Sequence, residues 1–188
     1  MSDFLPDTYE VPAKSGNYMK FQPGENTFRV LSSPIIGWVY WVTGVDGTRK
    51  PVRKRQDEKI VTAEVEDEEQ VKHFWAMPVY NYEEEKIQIL ELTQATIQRE
   101  IKSLAKDKDW GSPINYDLKV TKTGKDKLTK YTVNPKPAKP INPEIVKEYQ
   151  AMKINLEALY SGSDPFAKPT NGKNEEIDMD DVPEFAEQ

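Results

Sequence analysis

Cysteine is absent from these 188 residues, and His73 is the only histidine. Without cysteine there is no disulfide, no thiolate zinc site and no cysteine nucleophile, and a single imidazole cannot build a site that needs several. No apolar run approaches the roughly 18 residues that cross a bilayer. The segment Met1-Ser-Asp-Phe-Leu-Pro-Asp lacks the basic and apolar regions of a signal peptide, so a soluble cytoplasmic protein is expected. Glycines 16, 24, 37, 44 and 47 are scattered without a nucleotide-binding spacing. Hydrophobic residues make up only 37% of the chain, which suits one domain with a core plus appendages that stay unfolded.

The net charge of −6 is unevenly placed. Of the 32 acidic residues seven lie between Asn174 and Gln188, where no basic residue occurs, leaving 25 against 26 Lys+Arg in the rest. The body is therefore close to neutral, with local basic concentrations, and acidity belongs mainly to the tail.

Four regions are expected: an irregular segment 1–26, a β-rich domain 27–134, a Pro/Lys linker with an amphipathic helix 135–162, and a disordered acidic tail 163–188. Thr27–Ser32 and Ile35–Thr43 alternate or carry β-branched and aromatic residues, as strands do. Residues 49–72 run from basic to acidic with little apolar content and read as a long charged loop. Lys72–Tyr82 and Lys86–Leu92 form a hairpin, with Pro78 tolerable only at an edge or a bulge. Thr93 is the expected N-cap of a helix reaching about Lys106, its stripe being Ile97, Ile101 and Leu104. A lysine-rich hairpin, 114–121 with 127–133, follows. Asn142-Pro143-Glu144 starts a last helix in which Ile145, Tyr149, Met152, Leu156 and Leu159 repeat at 4-3-4-3 spacing until Gly162 stops it. This order predicts an all-β fold with added helices: the OB-fold, a five-stranded partly open barrel with a helix between strands 3 and 4.

Binding of a single nucleic-acid strand needs rings for bases to stack on and cations along the backbone path. Alternation places Trp38 and Tyr40 on one face of their strand and Trp41 on the other; Phe74, Tyr80 and Tyr82 share one face of the next strand, His73 and Trp75 the other. One face can fill a barrel while the other offers a stacking platform, or all the rings can be core. The cations are Arg49, Lys50, Arg53, Lys54 and Arg55 after the aromatic strand, and Lys119, Lys122, Lys125, Lys127 and Lys130 around the last hairpin. Either run can equally be a solvated surface. Acidic runs at 64–69 and 83–85 are contiguous and lie in turns, unlike converging catalytic carboxylates, so no catalytic residue, metal or cofactor is expected.

The segment Asp178-Met-Asp-Asp-Val-Pro-Glu-Phe185 resembles the acidic tip of bacterial single-stranded-DNA-binding proteins, with Asp178, Asp180, Asp181, Val182, Pro183 and Phe185 matching in type and order. Glu184 interrupts that pattern, and Ala186-Glu-Gln188 follows it. In that family the tip docks on replication and repair enzymes and competes with DNA for the basic groove. The body, through Phe74–Tyr82, Leu92-Thr-Gln and Trp110-Gly-Ser-Pro113, resembles the OB-fold single-stranded-DNA-binding proteins of tailed phages over residues 20–135. This resemblance implies a protein that coats exposed single-stranded DNA in replication, recombination and repair, inside an infected bacterial host. Its partners would be a polymerase, helicase or recombinase. An adaptor that binds proteins but no nucleic acid is the competing expectation, and a phosphodiesterase a remote third.

Overall fold

The computed structural model describes residues 16–61, 65 and 70–168. The order is β1 (Gly24–Val30), β2 (Ile35–Thr43), β3 (Arg49–Arg55), β4 (Lys72–Asn81), β5 (Lys86–Leu92), α1 (Ala95–Lys106), β6 (Leu118–Thr123), β7 (Lys130–Pro135) and α2 (Pro143–Met152), with short 3₁₀ turns at Pro113–Asn115, Asp126–Leu128 and Leu156–Ser161. The mostly β reading with added helices holds. The described residues form one seven-stranded antiparallel sheet that does not close, ordered β3-β2-β4-β1-β6-β7 with β5 on the far edge of β4.

β4 is the axis of this sheet. Along one edge it pairs with β5; along the other it pairs first with β2, up to Ile35 opposite Ala76, and then with β1, from Val30 opposite Val79. Pro78 occupies the step between the two ladders. Its lack of an N–H therefore costs no ladder bond to β2 or β1, while its carbonyl still accepts from Leu31 N–H.

Residues 49–55 correct the expectation of a loop: they are strand β3, paired with β2 from Gly37 opposite Arg55 to Thr43 opposite Arg49. Five of the seven are basic, which hides the alternation, but an edge strand tolerates Lys, Arg and Pro, and those residues discourage further pairing. A tight turn at 44–48 joins the two strands, with Gly47 at φ 78° and Asp46 accepting from Thr48.

Pairing register sorts the side chains onto two faces. One carries Phe28, Val30, Met77, Val79, Leu90, Leu92, Leu118 and Val120, sealed by Ile97 and Ile101 of α1. The N-cap of α1 is Gln94 rather than Thr93. The other face carries Val39, Phe74, Ala76 and Ile89, covered by Leu159, Ile154, Leu156, Tyr160 and Phe166.

The chain after β7 is thus a strap across the second face. Its helix differs from the single helix expected through Gly162. Asn142 caps it by accepting from Glu144 N–H, but α2 ends at Met152, Lys153 turns left-handed at φ 49°, and Leu156–Ser161 is a separate 3₁₀ turn. The break lets Asn155 N–H reach Pro165 O, seating Pro165 and Phe166 on the body. Residues 163–168 therefore belong to the fold. So do residues 16–23 before β1, where Met19 is buried and its N–H donates to Ile89 O.

Candidate nucleic-acid interface

β2 and β3 outrun their support. The last β2 residue paired with β4 is Val39, opposite Lys72, whereas pairing with β3 continues for four more steps, Tyr40 with Val52 out to Thr43 with Arg49. These four pairs form a two-stranded arm. Its base depends on Gly37: a Cβ there would lie 2.0 Å from Lys54 O and 3.2 Å from the Phe74 ring, so only glycine lets β3 and the core approach together.

The expected rings divide between core and surface. Tyr40 and Phe74 are fully buried. Trp75 is half-buried against the α1 core. Trp38 is half-buried and meets the His73 ring edge-on, centroids 5.1 Å apart. Trp41 is 46% exposed on the arm, with the Arg49 guanidinium 5.8 Å from its ring centroid. Tyr80 and Tyr82 meet edge-to-face at 5.1 Å, and the Tyr82 hydroxyl donates to Asp117.

The expected cations divide as well. Arg53 is paired with Glu91 at 2.8 Å, Arg55 with Glu157, and Lys119 with Glu25 at 2.8 Å. Lys122 reaches Phe21 O. Arg49, Lys50, Lys54, Lys125, Lys127 and Lys130 make no ion pair among the described residues. Register puts Arg49 on the face of Trp41 in the arm, and Lys54 opposite Trp38 on the other face, where β2 is still paired with β4. The second lysine group surrounds the β6–β7 tip, where Leu128 is 77% exposed. β3 and β7 are both outer strands, reached from the same side of β4, β3 through β2 and β7 through β1 and β6.

One polar cluster was not legible beforehand. Arg29 is 1% exposed, and its Nε donates to Asp117 at 2.6 Å. Its other nitrogens reach Ile114 O and Lys139 O. Asp117 also accepts from Tyr82 at 2.9 Å and pairs with Lys139 at 2.9 Å. Burial opposes the charge on Asp117, but hydrogen bonds from Lys139, Arg29 and Tyr82 outweigh it and hold the carboxyl below its usual range. Burial, then the hydrogen bond to Asp117, pushes the Tyr82 phenol up to about 12. The cluster ties β1, the end of β4 and the entry to β6 to the strap. A lone Arg in a strand and a lone Asp beside Tyr116 give no sequence signal of their pairing.

Of the two acidic runs, Glu83–Glu85 form a turn as read, and the run at 64–69 lies, Val65 apart, outside the described residues. Glu83–Glu85 follow β4, and no group of three or more His, Cys, Asp or Glu among the described residues could hold a metal ion. No helix among them is long and apolar enough to cross a membrane. The tail residues Asp178, Asp180, Asp181, Val182, Pro183 and Phe185 lie outside the described residues. No protein-family model, curated protein or solved structure matches this chain.

Proposed function

We propose that the protein binds single-stranded nucleic acid, DNA in the first instance, through the β2–β3 arm. The observation that carries this reading is the pairing of a half-exposed Trp41 with Arg49 on the arm, beyond the end of β4. An unstacked base offers a π-face to Trp41, Arg49 on the same face can neutralise a neighbouring phosphate, and Lys50 and Lys54 add positive charge on the other face of the ribbon. A duplex hides those faces, so single strands are preferred. We read the sheet as an elaborated OB-type fold, supported by the helix placed before the final hairpin and packed on the sheet. Coating of exposed strands in replication, recombination and repair is the role this chemistry suits. The acidic tail would recruit partner enzymes.

The adaptor reading draws on the cations already paired internally, Arg53, Arg55 and Lys119. It loses its heptad-spaced helix, because Ile145 and Leu159 are buried on the protein's own sheet. A fluorescence titration with single-stranded and duplex oligonucleotides over a range of salt tests the proposal. Trp quenching by the single strand is expected, with log affinity falling by about 0.7 per phosphate contact for each unit of log salt. Equal or absent responses to the two oligonucleotides would refute it.

A further inference from the structure

Between α1, the β1–β2 connection and the 3₁₀ turn at Pro113 lies a groove of about 420 Å³ that the arm does not use. Its walls are apolar, chiefly Val30, Pro34, Trp75, Met77, Ile101 and Ala105. Lys102 and Lys106 stand on its rim one helical turn apart, exposed and without an ion pair among the described residues, and no acidic residue lines it. An occupant should therefore be apolar in the middle and acidic around it. The chain supplies such a segment. In Asp178–Phe185 the residues Val182, Pro183 and Phe185 are set among Asp178, Asp180, Asp181 and Glu184.

Reach is sufficient. Val182 lies fourteen residue steps beyond Lys168, the last described residue, and extended chain covers about 3.3 Å per step, or about 46 Å. A body of this size has a radius of gyration of only about 15 Å. Tethering also keeps the segment at high effective concentration, so modest contacts are enough to hold it.

We propose that the tip Asp178–Phe185 docks on its own chain in this groove, Val182 and Phe185 entering it and the acids pairing with Lys102 and Lys106. The inference does not rest on nucleic-acid binding. It makes the groove the site with which any partner of the tail must compete.

The test uses the full chain with a photoreactive benzoylphenylalanine at position 185, irradiated without nucleic acid and mapped by peptide mass spectrometry. Linkage to Trp75, Met77 or Ile101 in a product of single-chain mass is the expected result. The double substitution K102E/K106E should cut that yield about fivefold, the scale of two exposed ion pairs lost. Adding D180K/D181K to the same chain should restore it, which a merely misfolded groove could not do. Linkage scattered over the body, yield insensitive to K102E/K106E, or a product of twofold mass would each overturn the proposal.

Discussion

Removing the Asp117 carboxylate should be among the most damaging single changes in the protein. The carboxylate sits among Arg29 Nε at 2.6 Å, the Tyr82 hydroxyl at 2.9 Å and Lys139 Nζ at 2.9 Å. In Asp117→Ala the Arg29 guanidinium stays 99% buried with only two backbone carbonyls, of Ile114 and Lys139, to receive its protons. Breaking a buried pair in this way costs about 3–5 kcal/mol. With a urea m-value of about 2 kcal/mol per M, the unfolding midpoint should drop by about 1.5–2.5 M. Replacing both partners, as R29M/D117A, removes the stranded charge, so the double variant should lose about 2 kcal/mol less than the sum of the singles. The pH dependence has a definite sign. Because the folded Asp117 value is depressed, its contribution is complete above the ordinary aspartate value of about 3.9 and is lost as pH falls through the lower folded value. The gap between wild type and Asp117→Asn should therefore persist at pH 5 and close only in strong acid. A loss below about 1 kcal/mol at pH 7, or strict additivity of the double variant, would refute the reasoning.

Tyr82 gives the opposite sign. With its phenol held up to about 12, its stabilising effect is present below the unfolded value of about 10 and is lost as pH rises through 12. One tyrosine should titrate late in the ultraviolet, and that step should vanish in Tyr82→Phe. Gly37→Ala forces a Cβ onto Lys54 O and should cost about 1–3 kcal/mol in a denaturant melt while weakening oligonucleotide binding by displacing β3; unchanged stability would contradict the close approach. Leu159→Ala opens the strap's main contact with the second face and should cost about 2–5 kcal/mol, read as a lower melting midpoint.

Elements whose residues declare themselves locally were legible in the sequence. The β4–β5 hairpin, the α1 stripe and the Asn142 cap depend on short-range chemistry and are present, whereas Gly162 ends the separate 3₁₀ turn and not the helix. Strand β3 was hidden because edge position, a tertiary fact, is what permits Arg-Lys-Pro-Val-Arg-Lys-Arg to pair. The last helix was overextended because its 4-3-4-3 spacing continues past Lys153, where the backbone turns so that Asn155 can meet Pro165. Of the candidate site, the sequence showed the residue types but not which of them the fold commits elsewhere. Phe74 and Tyr40 belong to the core, and Arg53, Arg55 and Lys119 are taken by glutamates far away in sequence. The close pair Trp41 and Arg49 needed the register of β2 on β3 to be seen.

That pair also supplies the most direct test of the account. Trp41→Ala removes an exposed ring from the arm without touching either core cluster, so circular dichroism and melting should be unchanged. Base stacking is worth about 1–3 kcal/mol, so affinity for a single-stranded oligonucleotide at fixed salt should fall about fivefold to 150-fold. Single-strand affinity within twofold of wild type would contradict the claim that the arm is the binding surface.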